Sequence, residues 1–410
     1  SSNSFLIVLS FQLHAQLPAV VKDWARHVGN LDSTFKTPII ADADSEYTYV
    51  ASFTVNPTTG ADIMVIKYDK EGHDLWKTYW TGSGSGRDQA SDIAQDSLYI
   101  YVCGITFTSV ANNFDYVTMK LDKSDGSIQW STTYNGTASN YDVATAIAVD
   151  DEGVFVTGVS NDTSASLNYR TIKYHITTGA EVWNRAYDYA TLMDIPFDID
   201  FKNKTTIVVV GGSQSTLTNW DYANIYYTIN GTPVDTARYT GTSAGFDRAE
   251  AVKSDSAGNI YITGTISQTS SGFDIKTIKI NPNGNVAWQN TYNFGTDDEG
   301  NDLIVDVSGN VYVCGTSKPA NTDNEYVVIK YNSGGTEQWN TRLHLTDKQN
   351  EVKKMCFDSF GNIVVTGRGM TYEHGFDFFT VALDESGVEQ WRDNFDGDDH
   401  GDDGAQDIAA

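Results

Sequence analysis

Short apolar runs alternate along the chain with clusters of Gly, Asp, Asn, Ser and Thr. Typical runs are Val311-Tyr-Val-Cys-Gly315 and Asp274-Ile-Lys-Thr-Ile-Lys-Ile280, whose β-branched and aromatic residues predict β-strands. Tight turns separate the runs, as at Asp306-Val-Ser-Gly309, where the Asp carboxylate can accept backbone N–H bonds and Gly takes a positive φ. Alternation within each run is imperfect, which is typical of sheets covered on both faces. The pattern predicts an all-β chain.

The pattern repeats about every 52 residues, and three separate landmarks carry this period. A Gly ends the second predicted strand of six repeats, at Gly104, Gly158, Gly211, Gly264, Gly315 and Gly367. An acid or amide opens the third strand, at Asp62, Asp115, Asn168, Asp221, Asp274, Glu325 and Asp377. A Trp follows a turn at Trp24, Trp76, Trp130, Trp183, Trp288, Trp339 and Trp391, and Asp235 fills the remaining position.

Each repeat contains four predicted strands, and four antiparallel strands at this period are typical of β-propeller blades. A string of β-sandwich domains is the alternative, but these need roughly 100 residues each. Seven complete repeats run from about Phe35 to about Phe395. A lone fourth strand around Trp24 and a lone first strand at Asp403–Ala409 would share one further blade, so eight blade positions are favoured over seven. The interpretation is a single propeller domain over residues 17–410.

The first 16 residues are interpreted as a truncated secretory signal peptide. An apolar run at Phe5–Phe11 precedes Ala15-Gln16, as in the apolar and cleavage regions of such peptides. A buried N-terminal strand is the alternative. We expect a mature chain that starts near Leu17, is secreted or displayed on the cell surface, and is a C-terminally truncated fragment of a longer protein.

The net charge narrows the range of partners. Acidic residues number 54 against 27 basic ones, which gives a formal charge of -27. Nucleic acid is excluded, because its phosphates require Lys and Arg. Membrane insertion is excluded too, since no stretch after the signal region is long and apolar enough to span a bilayer. The partner is expected to be an extracellular protein or a glycan.

The strongest repeats, at residues 142–158, 247–264 and 298–315, follow the pattern Asp-x-Ala-x-x-Ile-x-x-Asp-x-x-Gly-Asn-Val-Tyr-Val-Thr-Gly. This pattern resembles the bacterial seven-bladed β-propeller repeat family, the SBBP repeats. The resemblance covers nearly the whole mature chain. It implies a propeller in a large secreted or surface protein like those of Bacteroidetes, and it implies no catalytic residues.

A second resemblance starts from Thr178-Gly-Ala-Glu-Val-Trp183, which looks like the tryptophan-docking motif of eight-bladed quinoprotein propellers. Quinone-dependent dehydrogenases of that type usually add an adjacent Cys pair and a calcium-plus-Asp site, and this chain has no adjacent Cys pair. The repeated Trp residues are therefore interpreted as structural, with their rings packed between blades: Trp76, Trp130, Trp183, Trp288, Trp339 and Trp391.

Motifs for catalysis, cofactors and metals are few. Cys103, Cys314 and Cys356 are too scattered for a disulfide framework or a zinc site. The seven His residues show no metal-ligand spacing, and no serine elbow or phosphate loop occurs. No catalytic, cofactor-binding or metal residues are therefore predicted. A minor alternative is a calcium site in an Asp-rich linker, with the candidate ligands Asp396, Asp398, Asp399 and Asp402.

Two classes of function remain open. A noncatalytic binding or scaffold module, an adhesin for example, fits polar loops on a rigid ring. The alternative is an extracellular polymer-degrading enzyme or quinoprotein-like propeller with a site at the channel mouth. An enzyme should break the repeat with inward acids in one or two blades. The most visible breaks are Asp235 in place of Trp, and Tyr226 and Ala382 in place of a repeated Lys. These positions do not bring candidate catalytic residues together, so we expect a noncatalytic protein.

Overall fold

A computed structural model describes residues 40–409 except 85, 109–113, 138–140, 164, 165, 216–219, 244, 321, 372–374 and 397–403. The predicted signal peptide at residues 1–16 and the predicted strand around Trp24 lie outside the described residues. The described residues form strands β1 to β28, and none of them belongs to a helix that could span a membrane.

Every four consecutive strands form one blade. The strand bounds of blades 1 to 4 are Ile40–Ala43 (β1), Tyr47–Asn56 (β2), Gly60–Asp69 (β3), Asp74–Trp80 (β4), Gln89–Gln95 (β5), Tyr99–Phe107 (β6), Phe114–Asp122 (β7), Ile128–Tyr134 (β8), Asp142–Asp150 (β9), Gly153–Thr163 (β10), Ser166–Tyr174 (β11), Glu181–Tyr187 (β12), Asp194–Asn203 (β13), Thr206–Gln214 (β14), Trp220–Thr228 (β15) and Pro233–Tyr239 (β16). Those of blades 5 to 7 are Arg248–Ser254 (β17), Ile260–Gln268 (β18), Gly272–Ile280 (β19), Val286–Tyr292 (β20), Asp297–Val305 (β21), Val311–Lys318 (β22), Glu325–Tyr331 (β23), Glu337–Leu343 (β24), Asn350–Phe357 (β25), Ile363–Thr371 (β26), Gly375–Leu383 (β27) and Glu389–Phe395 (β28).

The blades form a ring of seven four-stranded antiparallel sheets, which confirms the predicted all-β propeller. The first strands of successive blades pack side by side from β1 to β25, so they lie innermost around a central channel. Second and third strands are buried along most of their length, as in β14 and β15. Fourth strands alternate between exposed and half-buried residues, as β28 does, because they form the outer rim.

Residues 404–409 lie at the seam of the ring, between blade 7 and blade 1. Ala405 N donates a hydrogen bond to Gly367 O of blade 7 (3.3 Å), and Asp407 Oδ2 accepts one from Ala41 N of blade 1 (3.0 Å). The segment predicted as a lone first strand therefore lies at the seam, but residues 404–409 form no strand and the described residues contain no eighth sheet. The described residues thus form seven blades, so the preference for eight blade positions is wrong: residues 404–409 bond to both neighbouring blades without forming a sheet of their own.

A repeated contact joins blades 1, 2, 3, 5 and 6 each to the next blade. In blade 3, the Lys173 ammonium and the Trp183 indole N–H both donate to Ile229 O in the outer hairpin of blade 4, at 3.1 and 2.9 Å. The Trp183 ring also lies against Gly231, where a Cβ would come within 2.7 Å of it. The same Lys and Trp pairing recurs in blades 1, 2, 5 and 6, with acceptors Lys123 O, Ile176 O, Ser333 O and Glu385 O.

Blade 4 lacks this contact because both donors are replaced. Tyr226 stands at the Lys position and Asp235 at the Trp position, opposite each other in the strand pairing. The facing Gly284 of blade 5 accordingly has open space where a Cβ would project. Among the repeated Trp residues, Trp130 and Trp183 are buried. The others are only half-buried: Trp76, Trp288, Trp339 and Trp391.

Candidate active site at the mouth of the channel

The channel wall carries a ring of carboxylates that also link neighbouring blades. Asp92 Oδ2 in blade 2 accepts from Ile147 N in blade 3 at 2.8 Å. The equivalent carboxylates occur in every second blade and at the seam: Asp198 to Val252 N at 2.8 Å, Asp302 to Met355 N at 3.0 Å and Asp407 to Ala41 N at 3.0 Å. Their first role is structural, since each satisfies a backbone donor of the next first strand.

Two lysines from blades 5 and 7 face these carboxylates. Lys354 Nζ lies 3.9 Å from Asp302 Oδ1, and the Asp302 carboxylate raises the pKa of Lys354. Burial lowers the pKa of Lys253, but the carboxylates of Asp198, Asp302 and Asp200 outweigh it, so the net pKa is raised. Both lysines therefore stay charged, and they partly neutralise the acidic wall.

A separate group of charges lies where the first strands of blades 5 and 6 begin, at one mouth of the channel. Arg248, at the start of β17, contacts the Glu250 carboxylate through Nε. Its Nη2 lies 3.3 Å from Glu299 Oε2 in β21. One guanidinium thus bridges two carboxylates from adjacent blades, which holds both acids at the same opening.

The two glutamates differ in environment, as the two acids of a hydrolytic pair must. Burial raises the pKa of Glu250, although the neighbouring Arg248 and the charge of Lys354 oppose the shift. The Glu299 side chain is 44% exposed and extends toward solvent. Burial thus lets Glu250 keep its proton to a higher pH than an ordinary Glu, while Glu299 is the more exposed of the two side chains.

A pocket of about 230 Å³ opens beside this pair. Its walls are mainly apolar and are formed by Phe246, Phe273, Thr265, Arg248 and Glu299. The Phe246 ring packs against Trp220, with the ring centroids 4.7 Å apart, and the Arg248 guanidinium lies 5.2 Å from the Phe246 centroid. An aromatic wall next to two acids and one cation can hold a sugar ring by stacking and polar contact.

The sequence does contain a signal for this site, but the signal is a difference between equivalent positions of the repeats and not a local motif. Among the inner-strand positions that Arg248 and Glu250 occupy, blades 2, 3 and 4 carry only uncharged residues: Gln89, Ser91, Val143, Thr145, Ile195 and Phe197. Blades 6 and 7 carry mostly charged ones: Glu299, Asn301, Glu351 and Lys353. Inward acids thus do break the repeat. A comparison of aligned positions blade by blade in the sequence could have identified this site.

Other predicted site residues are not brought together. Cys103 and Cys314 are buried and Cys356 is half-buried, in blades 2, 6 and 7, and all three are free thiols. The structure therefore gives no adjacent Cys pair, and these residues do not fit a quinoprotein site. Of the calcium candidates, Asp396 is half-buried at the end of blade 7. The other three lie outside the described residues: Asp398, Asp399 and Asp402.

Comparison with known proteins supports the fold. No protein-family model and no curated protein sequence matches the chain, so the SBBP resemblance is unconfirmed. Among solved structures, a periplasmic gluconolactonase of Pseudomonas aeruginosa matches with 11% identity and a TM-score of 0.53, over 85% of this chain and 95% of that one. A europium-containing methanol dehydrogenase matches with 11% identity and a TM-score of 0.54, over 90% and 81%. A dihydro-heme d1 dehydrogenase matches with 13% identity and a TM-score of 0.54, over 91% and 70%.

The expectation of a noncatalytic protein is wrong. The similar structures named above are a gluconolactonase and two dehydrogenases, which are enzymes. The expectation rested on missing motifs, and because one fold can host many unrelated functions, the absence of a familiar motif does not exclude catalysis. At 11–13% identity the likeness shows the fold alone.

Proposed function

We propose that the protein is a hydrolase that cleaves an extracellular, uncharged polysaccharide at the channel mouth formed by blades 5 and 6. The observation that carries this proposal is the bridge from Arg248 to Glu250 and Glu299, because Arg248 and Glu299 also line the aromatic pocket. A half-buried acid whose pKa is raised by burial, beside a more exposed carboxylate, fits the acid and base pair that glycoside hydrolysis uses. The net charge of -27 disfavours anionic polymers.

The roles follow from the environments of the two acids. Glu250 gives its proton to the glycosidic oxygen as the bond from that oxygen to the anomeric carbon breaks. Water supplies the hydroxyl group to the anomeric carbon, and its proton passes to the Glu299 carboxylate. Arg248 positions both acids, and the Phe246 and Phe273 rings form the stacking wall for the sugar next to the bond that is cleaved.

A substrate panel tests the proposal. The purified chain is incubated with neutral glucans, mannans, xylans and galactans, and with acidic polymers such as pectate, and the release of reducing ends is measured. The proposal expects release from at least one neutral polymer, and a loss of about 100-fold or more in Glu250→Gln and Glu299→Gln. Activity on none of the neutral polymers, or full activity in both variants, would contradict it.

A further inference from the structure

The pocket beside the Arg248 bridge contains a hydroxyl group that has no partner. Thr265, in β18 of blade 5, lines this pocket of about 230 Å³. The residue is 3% exposed, and its Oγ1 is buried and makes no hydrogen bond with the described residues. A buried hydroxyl without a partner is costly, because folding removes its bonds to water and returns none. On the wall of a cavity, such a group points to a ligand that supplies the missing bond.

The repeat indicates that packing does not require this hydroxyl. Aligned on the Gly that precedes it, Thr265 corresponds to Ile105 in blade 2, Val159 in blade 3 and Gly212 in blade 4. None of these three side chains offers a hydrogen-bonding group, yet the three blades form the same four-stranded sheet. An apolar residue therefore suits the fold at this position, and the hydroxyl of Thr265 needs another explanation.

The contact between blades 5 and 6 departs from the repeat next to Thr265. In blades 2, 3 and 4 a tyrosine on the third strand donates its hydroxyl to a backbone carbonyl of the next blade, at 3.2 to 3.3 Å: Tyr116 to Arg170 O, Tyr169 to Ala223 O and Tyr222 to Lys276 O. Blade 5 carries Ile275 at this position, directly opposite Thr265 in the strand pairing. Neither Ile275 nor any other described residue of this interface offers the Thr265 hydroxyl a hydrogen bond.

Arg248 provides a second polar group for the same ligand. Arg248 and Thr265 are direct partners in the pairing of β17 with β18, so their side chains lie on the same face of the sheet. Arg248 Nε and Nη2 bond to Glu250 and Glu299, while Nη1 makes no hydrogen bond with the described residues. An N–H donor and a hydroxyl thus belong to neighbouring residues of the pocket wall. This set matches a sugar hydroxyl, which can accept one hydrogen bond and donate another.

We propose that Thr265 is a specificity-determining residue, which bonds one hydroxyl group of a neutral sugar ring stacked on Phe246 and Phe273. The sugar hydroxyl donates to Thr265 Oγ1 and accepts from Arg248 Nη1. Because Oγ1 and Cγ2 share one carbon atom, a rotation about χ1 can place Oγ1 where Cγ2 lies on the pocket wall. The inference rests on the proposed function and adds the polar contact that selects the substrate. A sugar without this hydroxyl leaves the buried group unpaired and is therefore discriminated against.

Sugar binding and stability should change in opposite directions in Thr265→Val. The probes are cellohexaose, mannohexaose, xylohexaose and galactohexaose, titrated calorimetrically into Glu250→Gln so that hydrolysis does not interfere. Adding Thr265→Val to this background should weaken binding of the tightest probe about 3- to 10-fold, which corresponds to the loss of one hydrogen bond. The Tm of the free Thr265→Val protein should rise by about 1–3 °C, because a methyl group of the same shape replaces an unsatisfied buried hydroxyl.

Two further variants separate binding from a structural role. Thr265→Ser keeps the hydroxyl and should bind the probe as the parent does. The matched control is Thr263→Val, two residues earlier on the same face of β18. Its hydroxyl already contacts Lys276 O and Thr277 Oγ1, each at 3.3 Å. Thr263→Val should therefore lower the Tm and leave the affinity for the probe unchanged.

The outcomes distinguish this inference from the proposed function. Unchanged affinity in Thr265→Val, a Tm below that of the wild type, or no binding of any probe would overturn the inference. Probe binding that Thr265→Val weakens, in a protein that hydrolyses no neutral polymer, would support the inference and contradict the proposed function alone. Hydrolysis of a neutral polymer with the same KM in the wild type and Thr265→Val would contradict the inference alone.

Discussion

Asp407 and Ala41 join the two ends of the described ring. Asp407 Oδ2 accepts from Ala41 N at 3.0 Å, and Asp407 Oδ1 accepts from Ile408 N at 2.9 Å. Asp92 makes the same pair of bonds, to Ile147 N and to its own neighbour Ile93 N, each at 2.8 Å. The seam is therefore closed by the same hydrogen bond that links blades inside the ring.

Loss of this bond should weaken ring closure. Asp407→Ala is expected to lower the free energy of unfolding by roughly 1.5–3 kcal/mol, since it leaves a backbone donor beside blade 1 without its charged acceptor. Asp407→Asn keeps an acceptor oxygen and should cost clearly less. Urea titration of both variants checks this, and equal stability of Asp407→Ala and the wild type would show that the seam bond contributes nothing.

The contact between Trp183 and Gly231 should be sensitive to a single methyl group. Gly231 has φ of 79° and Gly284 has φ of 88°, but only Gly231 faces an indole ring. Gly284→Ala should therefore cost only the backbone strain, about 1–2 kcal/mol. Gly231→Ala should cost about 1–3 kcal/mol more, because its Cβ would overlap the Trp183 ring.

Denaturant titrations of the two Gly variants measure this difference directly. The backbone strain is nearly equal at the two positions, so Gly284→Ala is the internal control for Gly231→Ala. Equal losses in the two variants would mean that the Trp–Gly contact does not restrict packing between blades 3 and 4.

Stability should fall as the pH rises from about 4 to about 7. Burial raises the pKa of Asp92 to about 7 and that of Asp194 and Asp298 to about 6, against an ordinary value of 3.8. In this range the folded state binds more protons than the unfolded state. Each such group therefore removes up to about 1.4 kcal/mol of stability per pH unit as its proton is lost.

Unfolding in urea at pH 4.5, 6 and 8, in the presence of a chelator, measures this dependence. Asp92→Asn should reduce the slope between pH 4.5 and 8, because the amide carries no charge at either pH. A free energy of unfolding that rises over this range would contradict the assigned direction of these pKa shifts.

The fold could be predicted from the sequence because it is built from repeats. Each Trp and Gly position, such as Trp183 and Gly231, returns in several copies, so one blade's packing predicts the next. The proposed active site could not be predicted from the repeat in this way. Glu250 and Glu299 belong to different blades, and only the closed ring shows that Arg248 joins them.

The pH dependence of hydrolysis tests the central claim most directly. On a neutral polysaccharide that the wild type cleaves, kcat/KM should be bell-shaped and should fall on the alkaline side as Glu250 loses its proton. Glu250→Gln should lose about 100-fold or more in kcat/KM together with the alkaline limb, while Glu152→Gln, at an exposed turn of blade 3, should match the wild type. A Glu250→Gln variant with wild-type kcat/KM and an unchanged alkaline limb would contradict a catalytic site at this mouth of the channel.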